Sequence, residues 1–137
     1  MAIYKGGIRK PIRKITVVKE FTFEAAHHLP GYKGPCERVH GHTYRLQIGI
    51  KDIIDSNTGM VEDFSALKDV VQRNIISHVD HQNLNEVSAP FFPNEQPTAE
   101  KMVLWIIDTL SGIYPGLCFV RLYETPTSYA EWYSGGN

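Results

Sequence analysis

The chain has 137 residues, of which 42% are hydrophobic and 21% are charged, and its formal net charge is −1 at pH 7. This balance is that of a globular protein, and the longest apolar run, Met102 to Ile107, is far too short to cross a bilayer. The near-zero charge gives no electrostatic footprint for nucleic acid, and the length suits one domain over residues 1–137.

The N-terminal residues 1–14 carry five basic side chains and are followed by no apolar stretch, so the sequence gives no sign of a secretion signal. We expect a flexible, solvated basic segment here and a cytoplasmic protein. In a reducing compartment the two cysteines, Cys36 and Cys118, are expected to be free thiols. They form no Cys-x-x-Cys pair, which excludes a cysteine-rich structural zinc site.

The first two strands are predicted from alternation with a period of two residues, over Ile15–Ala25 and Thr43–Ile50. In the first strand the odd-numbered face is the more apolar, and it continues to His27. In the second strand the even-numbered face is apolar, and it extends back to His42 and His40. Side chains two apart in a strand share a face, so all three imidazoles are expected on the apolar side of a sheet.

Two amphipathic helices are predicted in the middle of the chain. Apolar residues at helical spacing indicate the first over Asp63–Val79, with its first residue as the N-cap. A loop from about Asp80 to Pro97 follows. The second helix is expected over Thr98–Leu110, again capped by its first residue, and Gly112 is its predicted stop.

Two further strands are predicted near the end of the chain, over Leu117–Glu124 and Ser128–Tyr133. Counting by twos places Cys118 and Glu124 on the apolar face of the first of them. Cys118 is therefore expected in the core, and Glu124 is an inward-pointing carboxylate at the end of a strand. The order ββααββ predicts the α+β class, with an antiparallel sheet and two helices on one face.

Apolar strand faces thus end in His27, in His40 with His42, and in Glu124. A lone inward histidine is commonly a hydrogen-bonded core residue, but burying three imidazoles without a shared partner is costly. Three histidines with an open fourth position are a ligand set of catalytic zinc, so we predict zinc at His27, His40 and His42. Glu124 is either a fourth ligand or a carboxylate that accepts two N–H groups of a heterocyclic substrate.

Cys36 lies four residues before His40, in the segment CERVHGH. A nearby metal or imidazolium would favour its thiolate form, which is the reactive one; the alternative is an inert loop cysteine. Asp80 and His81, just after the first helix, fit a relay in which a carboxylate orients an imidazole that activates a thiol. The alternative for this pair is an ordinary polar helix end.

These pieces together resemble the 6-pyruvoyl-tetrahydropterin synthase superfamily, and specifically its bacterial and archaeal 6-carboxytetrahydropterin synthase branch. The resemblance runs from about Val18 to Tyr129. Six motifs carry it: FTFEAAH (21–27), CERVHGH (36–42), VEDF (61–64), VDHQNLN (79–85), QPTAE (96–100) and YETPTS (123–128).

The resemblance implies a role for each matching site residue. The implied zinc ligands are His27, His40 and His42. The implied proton-abstracting thiol is Cys36, and its relay partners would be Asp80 and His81. The implied pterin anchor is Glu124, with Thr98 and Glu100 near the substrate.

The resemblance also implies the tunnelling fold, in which the sheets of three chains close into a barrel and two trimers stack into a homohexamer. Active sites then lie between subunits, so Asp80 and His81 would serve Cys36 of a neighbour. The implied substrate is 7,8-dihydroneopterin triphosphate. Cation candidates for its triphosphate are Lys33, Arg38, Arg45 and Lys101.

In the carboxy-synthase branch the implied products are 6-carboxy-5,6,7,8-tetrahydropterin, acetaldehyde and triphosphate, an early step toward queuosine and other 7-deazapurines. Glu37 leaves an alternative open. A related branch has Glu-x-x-His-Gly-His without the cysteine and cleaves the same substrate to 6-hydroxymethyl-7,8-dihydropterin for folate synthesis. This chain satisfies both patterns, so Glu37 is either a second catalytic residue or a solvated loop acid.

Two other functions are weighed against the carboxy-synthase. The pyruvoyl-forming relative resembles a wider cysteine spacing and fits this sequence less well. A zinc-stabilised pterin-binding module without catalysis would need neither Cys36 nor the pair Asp80 and His81.

Overall fold

A five-stranded sheet organises the chain in the computed structural model, which describes residues 2–3, 9–91 and 96–135. Of the predicted basic segment 1–14, residues 1 and 4–8 lie outside these ranges. Two short strands within it, β1 (Ala2–Ile3) and β2 (Arg9–Lys10), pair antiparallel with each other. Pro93, in the predicted loop, also lies outside the described ranges.

A long antiparallel hairpin forms the centre of the sheet. Its strands are β3 (Lys14–His27) and β4 (His40–Ile53), so both predicted strands are present and are longer than expected. The register places His27 opposite His40, and Ala25 opposite His42. Because directly paired residues share a face, the three histidines meet on one face at one end of the hairpin.

The sheet is completed by β5 (Gln82–Asn83), β6 (Leu117–Thr125) and β7 (Ser128–Tyr133), in the order β5-β3-β4-β6-β7. β5 runs parallel to β3, and the other neighbours are antiparallel. β6 and β7 confirm the two predicted C-terminal strands, whereas β5 lies in the predicted loop. The α+β class is therefore confirmed, with one short parallel strand added.

The first predicted helix is interrupted. It forms α1 (Phe64–Val71), continues through a π-helical turn at Gln72–Ile76, and ends as α2 (Ser77–Val79). Its predicted cap is confirmed, because the side chain of Asp63 accepts a hydrogen bond from the backbone N–H of Ser65.

Two more helices follow. α3 (Leu84–Phe91) occupies part of the predicted loop, and α4 (Ala99–Ser111) is the second predicted helix. Thr98 caps α4 by accepting from the backbone N–H of Lys101 at 3.2 Å, and Gly112 is its C-cap. In the described residues no helix is both long and apolar enough to cross a membrane.

The core lies between the helices and the inner face of the sheet, where Phe23 stacks on Tyr44 at 4.8 Å between ring centroids. Fully buried side chains come from both layers: Tyr44, Leu46, Ile48, Leu67, Ile75, Leu84, Met102, Ile106, Leu110 and Leu122. The inner face is the one that carries the odd residues of β3 and the even residues of β4, as predicted.

The predicted placement of Cys118 in the core is wrong. Gly49 pairs with Phe119 but Ile50 pairs with Leu117, so a β-bulge leaves Cys118 as an extra residue. Its thiol lies 3.8 Å from the hydroxyl of Thr16, on the outer face, and is half-buried. After the bulge the predicted alternation holds again, because Val120 and Leu122 are buried on the inner face of the sheet.

Candidate metal centre

Three histidines converge where the central hairpin meets the core. His27 ends β3 and is only 1% exposed, while His40 and His42 open β4 and are half-buried. The ring centroids are 4.7 Å (His27–His40), 5.0 Å (His27–His42) and 4.8 Å (His40–His42) apart. One ligating nitrogen from each ring lies within 4.8 Å of the other two.

Backbone carbonyls fix the tautomers of two of these rings. Nδ1 of His27 lies 3.0 Å from the carbonyl oxygen of Pro97, and Nδ1 of His40 lies 2.7 Å from that of Arg38. A carbonyl only accepts, so both Nδ1 atoms carry the proton and donate it. In a neutral ring Nε2 then has no proton and a free lone pair, which is the form that binds a metal.

The three Nε2 atoms face one another, and two of them belong to rings whose Nδ1 donates to a backbone carbonyl. Nε2 of His27 lies 3.1 Å from Nε2 of His40, and Nε2 of His42 is buried without a hydrogen-bond partner. Facing lone pairs repel unless a cation lies between them, and imidazole nitrogens suit zinc, copper, iron or nickel. The donor set therefore fits a metal, and His27, His40 and His42 are the residues that could hold one.

Glu124 joins the cluster from β6. Its Oε1 lies 3.1 Å from Nε2 of His27 and 3.4 Å from Nε2 of His42, although no hydrogen bond forms to His42. The inward-pointing carboxylate predicted from strand parity is thus present beside the histidines. Its place suits either of the two predicted roles, fourth ligand or acceptor for substrate N–H groups.

The charges of this cluster are coupled. Burial by itself would lower the pKa of His27, but the bonds to Glu124 and the Pro97 carbonyl raise it above its usual value. Burial and the neighbouring imidazoles lower the pKa of His42. The hydrogen bond from His27 holds the pKa of Glu124 below its usual value. A protonated His27 and the ionised carboxylate of Glu124 thus stabilise each other.

Asp80 and His81 form a pair fastened to the edge of β3. Oδ1 of Asp80 lies 3.0 Å from Nδ1 of His81 and accepts the backbone N–H of Glu24 at 3.0 Å. The pKa of Asp80 is below its usual value, mainly because of that backbone hydrogen bond and also because of the hydrogen bond with the His81 imidazole. The backbone N–H of His81 donates to the carbonyl of Glu24 at 2.6 Å.

His81 adopts φ = 59°, the left-handed region that non-glycine residues rarely occupy. Its side chain is 76% exposed. Backbone strain of this kind persists where the surrounding contacts impose it and is common at functional sites. The predicted relay pair is therefore assembled, with its imidazole presented to the outside of the chain.

Cys36 lies in a short 3₁₀ turn over Pro35–Glu37, and its thiol is half-buried. The backbone N–H of Leu29 donates to the carbonyl of Cys36 at 2.7 Å, which ties the turn to the residues after β3. No hydrogen bond among the described residues joins Cys36 to Asp80 or His81. Within one chain the predicted relay is thus in two parts.

The remaining predicted residues are less closely tied to the centre. Glu37 is exposed beside Cys36, and Glu100 is exposed in the first turn of α4. Thr98 uses its hydroxyl to cap that helix, next to Pro97, whose carbonyl binds His27. Their roles toward a substrate stay predictions.

The four cation candidates differ in their surroundings. Arg45 lies over the ring of Tyr123, at 3.9 Å from its centroid, and near the carboxylate of Glu20 at 3.8 Å. Lys33 and Arg38 are exposed, and Lys101 is half-buried. Their contacts with a triphosphate also stay predictions.

Sequence reasoning missed the groups that orient the histidines. The carbonyls of Pro97 and Arg38 leave no signal in residue type, because every residue has a carbonyl. Tyr44 was expected only as a strand residue, yet its hydroxyl lies 3.5 Å from Nδ1 of His27. Burial and the charge of Glu124 raise its pKa, so the hydroxyl remains protonated.

Comparison with known proteins identifies a family. The profile of the 6-pyruvoyl tetrahydropterin synthase family matches residues 16–134. A 6-carboxy-5,6,7,8-tetrahydropterin synthase of Synechocystis is 40% identical over 124 residues, covering 86% of this chain and 92% of that protein. The protein of the same name in Haemophilus influenzae is 36% identical over 138 residues, covering 85% and 96% respectively.

A solved structure shares the fold. The 6-pyruvoyl tetrahydropterin synthase of Caenorhabditis elegans superposes with a TM-score of 0.81 at 25% identity, covering 93% of this chain and all of that one. The tunnelling fold implied by the sequence motifs is therefore confirmed for the single chain.

Proposed function

The chain belongs to the 6-pyruvoyl tetrahydropterin synthase family, and from that membership we propose that it is a zinc-dependent 6-carboxy-5,6,7,8-tetrahydropterin synthase. Its substrates are 7,8-dihydroneopterin triphosphate and one water molecule, and its products are 6-carboxytetrahydropterin, acetaldehyde and triphosphate. The reaction is a lyase-type step toward queuosine and other 7-deazapurines.

The main support for this proposal is that three imidazoles each place one ring nitrogen within 4.8 Å of the other two, and that backbone carbonyls orient two of the rings with Nε2 toward the cluster. Such a set leaves room for an exchangeable ligand, as catalytic zinc requires. Zinc bound by His27, His40 and His42 would supply Lewis acidity toward the hydroxyls of the substrate side chain.

The other residues of the site bind the substrate and move protons. Glu124 accepts N–H groups of the pterin ring through its two carboxylate oxygens, as a carboxylate does for paired donors. Cys36, as the thiolate, takes a proton from the substrate side chain. His81, oriented by Asp80, moves that proton between the Cys36 thiol and the pterin ring.

The relay is completed between chains in this proposal. The exposed imidazole of His81 and its separation from Cys36 in the hydrogen-bond network support that arrangement. The neighbour would be a second copy within a homohexamer made of two trimers.

A second activity is favoured by the position of Glu37. It immediately follows Cys36 in the same turn and is exposed, so its carboxylate is free to reach a substrate. It would then cleave the side chain to give 6-hydroxymethyl-7,8-dihydropterin. Glu37→Gln is expected to remove this product alone and to leave carboxytetrahydropterin unchanged; a loss of both products would contradict a separate role.

Metal dependence tests the proposal. Protein loaded with zinc and protein stripped by a chelator are incubated with dihydroneopterin triphosphate, and metal content is measured by mass spectrometry. We expect one zinc per chain, turnover only in the loaded form, and loss of zinc in His42→Ala. Full zinc occupancy without turnover would instead make the chain a zinc-stabilised pterin-binding module.

A further inference from the structure

We propose that Asn85 is a positioning residue that fixes the Cys36 turn relative to the end of β3. The inference rests on the proposed function for the catalytic importance of Cys36. The placement itself rests on hydrogen bonds between described residues, and neither Asn85 nor its partner His28 has a part in the chemistry proposed above.

Asn85 makes two hydrogen bonds to the backbone of one residue. Its Oδ1 accepts the backbone N–H of His28 at 2.8 Å, and its Nδ2 donates to the carbonyl of His28 at 2.9 Å. His28 is the residue directly after the predicted ligand His27, where β3 has ended. The amide thus replaces both ladder bonds that another strand would have made at this position.

The constraint reaches Cys36 through one further residue. Leu29 follows His28, and its backbone N–H donates to the carbonyl of Cys36 at 2.7 Å. The direction of the chain at His28 therefore sets where Leu29 can hold the 3₁₀ turn of Cys36. If His28 is released, the turn loses its fixed point on the strand side.

The same stretch of chain also holds the relay pair. Residues 80–85 follow the end of β3: Asp80 and His81 bond to Glu24, and β5 pairs with Ala25 and Ala26. The backbone N–H of Asn85 donates to the side-chain oxygen of Asn83 at 3.1 Å, which fixes the start of α3. Residues 80–85 thus hold both the Asp80–His81 pair and, through His28 and Leu29, the Cys36 turn in position relative to β3.

Only a side chain with a donor and an acceptor side by side can make this pair of bonds. Aspartate is nearly isosteric with asparagine but has no donor, and its carboxylate would face the carbonyl of His28. Asn85→Asp therefore breaks the paired hydrogen bonds to the backbone of His28 with little change in side-chain volume. A displacement of the order of 1 Å in a reacting group costs about a hundredfold in rate.

The test uses zinc-loaded full-length protein and its Asn85→Asp variant. The Asn74→Asp variant is the control, because the Asn74 amide also donates to a backbone carbonyl, that of Val70 at 2.8 Å in the first helix. Three quantities are measured: the alkylation rate of Cys36 by iodoacetamide, followed by mass spectrometry of its peptide; the absorption spectrum of bound cobalt(II); and kcat with KM.

We expect Asn85→Asp to raise the alkylation rate of Cys36 several-fold and to lower kcat by about one to two orders of magnitude, with KM little changed. The cobalt(II) spectrum should match the wild type, which would show that the metal site is intact. Asn74→Asp should behave as the wild type in all three measurements.

Two results would overturn the proposal: alkylation of Cys36 at the wild-type rate in Asn85→Asp, or a lost cobalt(II) spectrum, which would make Asn85 a support of the metal site instead. If the wild type itself does not turn over the substrate, the proposed function fails while the alkylation arm still decides the role of Asn85. Should Asn85→Asp not fold, Asn85→Ser removes the paired bonds with a smaller group and is judged by the same criteria.

Discussion

The imidazoles of the candidate metal centre are oriented by groups outside the cluster. The carbonyls of Pro97 and Arg38 each accept a hydrogen bond from the Nδ1–H of one ring, so in the neutral rings the Nε2 atoms of His27 and His40 are unprotonated and 3.1 Å apart. Such an arrangement is stable only with a positive charge at its centre, a proton on His27 or a metal ion. Burial acts to lower the pKa of His27, but its bonds to Glu124 and to the Pro97 carbonyl raise that pKa above its usual value.

Replacing the thiol should separate catalysis from metal binding. Cys36 lies outside the group of three histidines, so Cys36→Ala is expected to keep the zinc content of the wild type. Formation of carboxytetrahydropterin should fall by at least about two orders of magnitude, the contribution of a general acid–base group. Product chromatography and metal analysis on the same sample check this; loss of zinc would mean that Cys36 is a ligand.

The charge of Asp80 should appear in the pH dependence of stability. Its pKa in the folded chain is below the ordinary value of 3.8, because the backbone N–H of Glu24 binds the ionised form. A lowered pKa contributes stability that is present above the unfolded value and is lost as pH falls through the folded value. The wild type should therefore be more stable than Asp80→Asn at pH 7, with the difference shrinking below about pH 3.8.

Urea unfolding of chelator-treated protein at several pH values measures this difference, since any bound metal would add a pH dependence of its own. A gap between the two proteins that is constant from pH 7 to below the pKa of Asp80 would contradict the expected role of its carboxylate.

At the scale of the strand, the site was predicted from the alternation of side chains between the two faces of the sheet. Counting by twos along three apolar segments predicted that His27, His40, His42 and Glu124 lie on apolar strand faces, and the pairing of β3, β4 and β6 brings them together. The count failed at Cys118, because the pairing of β6 with β4 shifts by one residue where Gly49 and Phe119 come together. Such a contact between distant residues has no signature in either segment alone.

The loop after the first helix shows the same limit. β5 is only two residues long and has no measurable period, and the three prolines nearby favoured a loop. Its strand pairing is determined by β3, which lies more than fifty residues earlier in the chain. The hydrogen bonds of Asn85 to His28 could not be predicted from the sequence either, because asparagine is common in any turn.

The bulge can be tested with one methyl group. A Cβ added at Gly49 would lie 2.9 Å from the Cβ of Phe119, so Gly49→Ala is expected to cost about 1–3 kcal/mol of unfolding free energy by overpacking. The control is Gly112→Ala, where an added Cβ meets nothing within 4 Å. Chemical denaturation measures both variants, and equal stability of Gly49→Ala and the wild type would contradict the register at the bulge.

At the scale of the whole molecule, the sheet has open edges. β5 covers β3 only at Ala25 and Ala26, and β7 has a neighbour on one side only within the described part of the chain. Unpaired strand edges are ready to pair with another chain. They are consistent with the proposed barrel of three sheets, as is the family to which the chain belongs. That residues 1–137 make one domain stays a prediction.

Sites shared between chains predict complementation. Cys36→Ala and His81→Ala chains are each expected to be inactive alone. Mixed by co-expression, they should regain part of the activity, because some sites then combine an intact Cys36 with an intact His81 from the neighbour. Steady-state rates of the purified mixture check this. Two inactive parents that stay inactive after mixing, in an oligomer shown by native mass spectrometry to contain both, would place the whole relay within one chain.

The product formed from 7,8-dihydroneopterin triphosphate distinguishes the proposed activity from its alternatives. Zinc-loaded protein is incubated with this substrate, and the pterins are separated by liquid chromatography and identified by mass. We expect 6-carboxytetrahydropterin as the main product, accompanied by acetaldehyde and triphosphate. Hydroxymethyl-dihydropterin or pyruvoyl-tetrahydropterin as the main product, or no turnover by fully loaded protein, would contradict it.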